Sequence, residues 1–399
     1  MRNVERGVKK KRGKEMRGHI VKRYKDSYTI VLNLGKDPST GKPRQQWISV
    51  KGTKKDAEKK LADMLHQLDN GSFIKTSKTK FGEFLEQWLE NYRFKLSPRG
   101  YERYAGIIKK HLIPALGNIT VNQLKPEHLQ KHYTDCQLKG LSPSTVRYHH
   151  AILHVALETA VKWGLAARNP ADAAEPPRVR HHEMQVWDEE EINRYIESAK
   201  DNRYYALFYT ALFTGMRRSE LLGLKWTDVD FIMSQIHVSR GLHHLKNGSY
   251  IYTETKSDTS RRTIALSPSA NLVLQQHREK RKLECLQLQT KFEDSELVFC
   301  DTDGQPLRPN TVTRAWATQA KRAGVKVIRL HDARHTHASI MLKQGIHPKV
   351  VQERLGHSSI QMTLDIYSHV APGIQAAAAA RFDEIVRPGS DIQTSDKIR

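Results

Sequence analysis

The spacing of apolar residues changes several times along this chain, and the changes divide it. From His19 to Tyr24, Ser27 to Leu34 and Gln45 to Val50, short runs rich in β-branched and aromatic residues predict three strands. Asp37-Pro38-Ser39-Thr40-Gly41 supplies the turn between the second and third. Thr53 then caps a helix reaching Leu68, with Ala57, Leu61, Met64, Leu65 and Leu68 on one face and Asn70-Gly71 as its stop. Residues 1–74 therefore predict a small α+β domain, a three-stranded sheet with one helix against it. The pattern leaves open which face of the sheet meets the helix.

After a polar linker (Lys75 to Lys80) the period becomes helical throughout. Phe81, Phe84, Leu85, Trp88, Leu89 and Tyr92 form one stripe. A second helix runs from Pro98 into His111 and Leu112 and is expected to break at Pro114 and Gly117. A third begins at Pro126, and a fourth begins at Ser142-Pro143 and reaches Trp163. Residues 79–176 thus form an all-α domain. Asn169-Pro170-Ala171 and Glu175-Pro176-Pro177 read as the linker that closes it, followed by the basic patch Arg178-Val179-Arg180-His181-His182.

From Trp187 to Val386 the pattern is mixed and mainly helical. Three strands are expected at Ile236–Arg240, Tyr250–Thr253 and Arg262–Leu266, making a small antiparallel sheet. Asn247-Gly248 lies in the first junction and Lys256 to Ser260 in the second. The alanine run 376–380 predicts a short helix, and the polar tail 387–399 predicts disorder. No internal repeat points to a solenoid. The fold class is multidomain: α+β, then all-α, then mixed mainly-α.

Composition narrows what such a chain binds. With 66 Lys and Arg against 43 Asp and Glu, the net charge is +23. Residues 1–80 hold 22 of those bases against 8 acids, a net of +14. That self-repulsion predicts a polyanionic partner, nucleic acid before anionic lipid. No apolar run is long enough to span a bilayer, and none follows the basic N-terminus as a secretory signal requires. Cys136, Cys285 and Cys300 are too few and scattered for a disulfide framework or a zinc site. They read as buried or incidental thiols in a reducing compartment.

Four clusters in the last domain carry candidate chemistry. In Thr214-Gly215-Met216-Arg217-Arg218-Ser219-Glu220 an apolar helix ends at Gly215 and another starts near Arg217. An arginine there opposes the helix dipole unless its guanidinium and the helix amides face one phosphate together. Pairing of Arg217 with Glu220 three residues on is the competing reading. In His331-Asp332-Ala333-Arg334-His335, a helix would put His331 and Arg334 on one face. His331 and His335 at i,i+4 also allow zinc, although no third ligand is evident. In Leu355-Gly356-His357-Ser358-Ser359, Gly356 closes a helix and His357 sits in a tight junction. Tyr367 follows ten residues later, in Thr363-Leu364-Asp365-Ile366-Tyr367.

The order Thr-Gly-x-Arg-x-x-Glu, a hairpin lysine, His-x-x-Arg, Leu-Gly-His and Tyr resembles the tyrosine recombinase, or phage integrase, family over most of residues 187–386. The resemblance implies DNA cleavage and rejoining through a 3′-phosphotyrosyl intermediate, with Arg217, Lys256, His331, Arg334, His357 and Tyr367 catalytic. Lys246 in the preceding turn rivals Lys256. No metal ligand and no cofactor are assigned, and no Gly-x-x-x-x-Gly-Lys-Ser/Thr loop is present. Chemistry agrees with the assignment. Two guanidinium forks can hold the charge that builds on the phosphate, and they stay cationic without a metal. A tyrosine of ordinary pKa, about 10, needs activation, which His331 or His357 can supply. Lys256 can protonate the leaving 5′-oxygen. Because a phosphotyrosyl ester conserves the energy of the broken bond, rejoining requires no ATP.

The remaining segments extend the resemblance. Residues 79–176 are similar to the core-binding domain of these enzymes, with Lys109, Lys110, Arg147 and His150 as candidate phosphate contacts. Residues 1–74 are similar to the arm-type DNA-binding domain of mobile-element integrases, with Lys22, Tyr24, Arg44 and Gln46 as candidate contacts. The family further implies double-stranded DNA at core and arm sites, a homotetramer on two paired sites, an excisionase, a host DNA-bending protein and a bacterial cytoplasmic setting. The segment Gly373 to Ile385, with Ile374, Ala378, Phe382 and Ile385 on one face, is expected to dock either on a neighbouring protomer or on its own domain. Two other functions fit the same residues: a type IB topoisomerase without strand exchange, and a DNA-binding regulator with relic catalytic groups.

Overall fold

The computed structural model describes residues 18–36, 41–69, 78–179, 184–254, 261–289, 292–293 and 296–370, with positions 379, 382, 383 and 386. These residues form two compact units divided at 180/181.

The first unit opens with strands β1 (Gly18–Tyr24), β2 (Ser27–Lys36) and β3 (Pro43–Lys51), antiparallel in that order, and helix α1 (Lys54–Asp69). Thr53 caps α1 reciprocally. Its Oγ1 accepts from the Asp56 amide at 3.3 Å, while its own amide donates to Asp56 Oδ2 at 2.9 Å. Cross-strand pairing aligns Ile20 with Ile30, Ile30 with Ile48, and Tyr28 with Val50. These residues pack with Ala57, Leu61 and Leu65 of α1. Strand alternation then turns the other face, including Val21, Val31 and Trp47, away from the helix. The turn at 37–40 and the helix stop at 70–71 lie outside the described residues.

The rest of this unit is helical: α2 (Phe81–Tyr92), α3 (Pro98–Ile107), α4 (Ile113–Leu116), α5 (Pro126–Leu138) and α6 (Pro143–Lys162). Ser97 and Ser142 accept from amides three residues on, Gly100 and Thr145, with proline at the first helical position. The predicted break at Pro114 does not occur. A π-turn (Ile108–Leu112) joins α3 to α4, and the Ile113 amide donates five residues back, to Ile108. That widened turn accommodates the proline ring, while burial of Ile108, Leu112 and Leu116 holds the winding together. Pro170 and Ala171, read above as linker, are buried in a 3₁₀ turn (Pro170–Ala173), and Ala171 joins the helical core.

The second unit contains α7 (Glu189–Ser198), α8 (Tyr205–Thr214), α9 (Arg218–Leu222), α10 (Pro268–Gln287), α11 (Pro309–Arg322), α12 (Asp332–Lys343), α13 (Pro348–Leu355) and α14 (Gln361–Val370). Trp187, Tyr195, Phe208 and Trp316 anchor its core. The sheet differs from the three-strand expectation. The segment read as one strand divides at Ser239 into β5 (Gln235–Val238) and β6 (Arg240–His244). Strand β5 pairs with β4 (Val229–Asp230) and β8 (Arg262–Ala265), whereas β6 pairs, among the described residues, with β7 (Tyr250–Glu254) alone. Close packing of β6 on α9 explains the change of direction: a Cβ on Gly223 would meet the Leu242 amide at 2.9 Å. Gly248, at φ 88°, closes the β6–β7 turn.

Candidate active site

Two helix ends converge on the start of α12 in the second unit. Gly215, at φ 64°, ends α8, and Gly356, at φ 65°, ends α13. A side chain at Gly215 would be strained and would also meet Leu355 Cδ2 at 2.5 Å. These two left-handed caps expose carbonyl groups that the nearby arginines take up.

Arg334, on the first turn of α12 and only 3% exposed, donates to the Gly215 carbonyl at 2.9 Å and to the Leu355 carbonyl at 2.6 Å. Among the described residues no carboxylate lies within ion-pair distance of it. Burial and the charge of Arg217 lower its pKa to about 9, which still leaves it cationic at neutral pH. Arg217 caps α9. It donates to the Gly356 carbonyl at 2.8 Å and to Glu220 Oε1 at 2.7 Å. Its amide is taken by Glu220 Oε2 at 2.8 Å, so the amide partnership with phosphate considered above is already filled by Glu220. Pairing with Glu220 and orientation toward Gly356 hold together, because one guanidinium serves both.

Glu220 is itself buried and shared. Arg262 on β8 grips both of its oxygens at 3.1 and 2.8 Å and donates to the Arg354 carbonyl at 2.7 Å. Burial raises the Glu220 carboxyl, but the hydrogen bonds and charge of Arg262 and the charge of Arg217 outweigh it and hold the group ionised. Arg354 in turn donates to His337 and to the carbonyls of Ala265 and Phe213. Sequence reasoning identified Glu220 only as a competitor for Arg217, and it missed Arg262 and Arg354. The adjacent arginines at 261 and 262 were the available signal for Arg262.

His357 follows the Gly356 cap, is 5% exposed and shares a 2.9 Å hydrogen bond through Nδ1 with Thr363 Oγ1. Burial, with Arg334 and Arg217 adding repulsion, pushes its pKa down to about 3, so the ring is neutral at physiological pH. His331 caps α12 with its side chain reaching solvent, and partial burial and Arg334 lower its pKa too. Its ring stands perpendicular to that of His335 at 5.2 Å. Thr363 lies on α14, and position 367 follows one turn later on the same helix. The Tyr367 side chain and all of Lys256 lie outside the described residues. Lys256 belongs to the connection between β7 and β8, the strand carrying Arg262, whereas Lys246 is exposed in the β6–β7 turn. Arg217, Arg334 and His357 are therefore brought together, with His331 at the same helix start as Arg334.

The "Phage integrase family" model matches residues 184–373. A second, "Phage integrase, N-terminal SAM-like domain", matches residues 80–136. This chain belongs to the phage integrase family. It is a tyrosine recombinase. Among relatives, it is 28% identical to the tyrosine recombinase XerC-like protein of Caldanaerobacter subterraneus subsp. tengcongensis, over 92% of this chain and 98% of that one. To the ICEBs1 integrase of Bacillus subtilis it is 26% identical, over 90% and 97%. In fold it is similar to the Tn1549 transposon integrase in complex with circular intermediate DNA: TM-score 0.67, 21% identity, 76% of this chain and 100% of that one. The lambda integrase dimer bound to a COC′ core site superposes with a TM-score of 0.56 at 17% identity, covering 94% and 97%.

In the rest of this integrase the candidate DNA contacts separate by face. Lys109, on the π-turn, and Arg147, on α6, are exposed, as is Lys110. His150 instead shares a 2.9 Å hydrogen bond with Tyr133. In the small sheet, Lys22 pairs with Tyr28 and Gln46 with Leu32, which puts both positions on the helix-facing side. Tyr24 is 79% exposed beyond an irregularity in β1. The Arg44 side chain lies outside the described residues. Sequence reasoning missed Arg23 and Trp47 on the opposite face, where the guanidinium lies 5.7 Å over the indole. Only the pairing register separates these two faces. Among the described residues no helix is long and apolar enough to cross a membrane.

Proposed function

We propose that this protein is a site-specific recombinase that integrates and excises a mobile element by cutting and rejoining duplex DNA. The Tyr367 oxygen attacks the scissile phosphorus, and the bond from phosphorus to the 5′-oxygen breaks, leaving the 3′-phosphate esterified to tyrosine. The phenolic proton passes to His331, His357 being a poor proton acceptor beside Arg334 and Arg217, and Lys256 protonates the departing 5′-oxygen. Arg217 and Arg334 hold the non-bridging oxygens as charge grows on them. A 5′-hydroxyl from the partner strand reverses the step, so bond count and energy are conserved.

One observation carries this reading: Arg334 is a buried cation held by main-chain carbonyls, with Arg217 beside it and α14 leading from Thr363 to position 367. A buried guanidinium without a carboxylate partner is a standing site for an anion. The segments take their roles accordingly: 1–74 at arm sites, 79–176 and 187–386 around core sites, and 387–399 as a tail. Lys109 and Arg147 contact core DNA. In the arm sheet Tyr24, Arg23 and Trp47 are better placed than Lys22, while Arg44 stays assigned from sequence. A homotetramer on two sites, an excisionase, a host DNA-bending protein and a bacterial cytoplasmic setting complete the proposal. The Tn1549 and ICEBs1 relatives support the mobile-element assignment.

The test is a nicked suicide duplex built from DNA flanking the gene. Wild type should become covalently trapped on it, and Tyr367→Phe should form no adduct yet bind with similar affinity. Absence of a wild-type adduct would overturn the enzyme reading. Relaxation of supercoils without exchange between paired sites would move it to a topoisomerase.

A further inference from the structure

The helical domain contains a second buried polar cluster, which plays no part in the proposed DNA chemistry. His132 and Cys136 stand one turn apart on α5, and His149 faces them from α6. All three are buried, with exposures of 4%, 5% and 0%. His132 Nε2 lies 3.3 Å from His149 Nδ1, and Cys136 Sγ lies 3.6 Å from the first nitrogen and 3.9 Å from the second. Among the described residues His149 Nε2 is buried with no hydrogen-bond partner. Two stacked imidazoles and a thiol in an apolar core share more lone pairs than protons, which is a costly arrangement without a cation.

We propose that His132, Cys136 and His149 bind one zinc ion, with His111 or water as the fourth ligand. The distances carry the proposal. For zinc–nitrogen bonds of about 2.0–2.1 Å and a zinc–sulfur bond of about 2.3 Å, a tetrahedron has a nitrogen–nitrogen edge of about 3.3 Å and a nitrogen–sulfur edge of about 3.6 Å. Two of the three observed separations equal those edges, and the third exceeds its edge by a few tenths of an ångström. The donor set of imidazole nitrogen and thiolate suits zinc and excludes magnesium or calcium, which take oxygen. His111 sits on the π-turn before Pro114, its ring 4.9 Å from that of His149, so the same irregular turn that admits the proline supplies the neighbouring histidine. Burial also holds His132 and His149 near pKa 4, keeping both rings neutral and able to ligate at physiological pH. Bound zinc would tie α5 to α6, a structural role. The competing state is a plain hydrogen-bonded histidine pair beside a thiol.

The experiment uses the full chain, stripped with a chelator and titrated with cobalt(II) alone. The expected result is a thiolate-to-cobalt charge-transfer band and tetrahedral d–d bands saturating at one ion per chain and bleached by zinc. Cys136→Ser should lose the charge-transfer band, and zinc should raise the melting temperature of wild type but not of this variant. Should Cys136→Ser fail to fold, wild type still decides: alkylation of Cys136, read by peptide mass spectrometry, should slow severalfold when zinc is added. Absence of the charge-transfer band in wild type, an equal band in the folded variant, or alkylation of Cys136 unaffected by zinc would each overturn the proposal.

Discussion

The guanidinium cluster around Glu220 and the imidazole–thiol cluster around Cys136 are both buried polar centres between helices, yet their electrostatic demands are opposite. Around Glu220, Arg217 and Arg262 share one carboxylate and Arg334 rests on the carbonyls of Gly215 and Leu355, so cationic donors exceed anions. Around Cys136 the groups are neutral and rich in lone pairs, with His132 and His149 held near pKa 4 by burial. Burial makes either imbalance expensive, and each cluster selects the ligand that would restore balance: an anion in one, a soft cation in the other.

Glu220 carries the largest expected effect. Glu220→Gln leaves Arg217 and Arg262 without their shared countercharge, and the expected destabilisation is about 3–5 kcal/mol. Denaturant melts of the full chain check this, and an unchanged midpoint would mean that the arginines find other partners. Next comes Arg334. Replacing it with Met removes the buried fork aimed at the phosphate, and strand cleavage should fall by about two to three orders of magnitude. Added sulfate should raise the melting temperature of wild type and not of Arg334→Met; equal stabilisation of both would place the anion elsewhere.

The smallest effect is on pH. Burial holds His337 at about 4 and His357 at about 3, against an ordinary 6.5. As pH falls below 6.5, the unfolded chain takes up protons that the folded chain refuses. Stability is therefore lost through that window and levels off only below the folded values. At pH 5 the loss is on the order of 1–2 kcal/mol per histidine. Glu220, whose folded value lies below 4.5, adds a loss at more acid pH. Calorimetry at pH 7 and pH 5 should show the drop, with a shallower slope in His357→Gln; a flat wild-type profile would mean that these rings protonate freely in the fold.

Legibility in the sequence varied with the range of the interaction. Pro98, Pro126 and Ser142-Pro143 mark helix starts because proline suits the first helical position and a serine cap is made with an amide three residues on, and the structure has those starts. Gly215 and Gly356 were readable as helix ends for the same local reason. The break expected at Pro114 failed because a π-turn, held by burial of Ile108 and Leu112, absorbs the proline. The strand expected at 236–240 failed at Ser239, where packing of Gly223 against β6 outweighs local β-propensity. His132 and Cys136 show the limit most clearly. Their i,i+4 spacing is visible in the sequence, but a count of three cysteines gave no hint of His149 on the next helix.

By itself the sequence determined the order of elements, the basic excess and the serial arrangement of Arg217, His331, Arg334, His357 and Tyr367, which is enough to recognise a phage integrase. These are properties of neighbouring residues or of their order, and neither requires knowing how the chain folds back. Tertiary structure alone decided that Arg334 rests on the carbonyls of two helix ends more than a hundred residues apart in one case and that Glu220 serves two arginines. It also decided that Lys22 lies on the helix-facing side of its sheet and that two histidines and a thiol from two helices meet within 3.9 Å of one another. Each of these depends on contacts between distant segments, and such contacts are fixed by packing of the whole core rather than by any local preference.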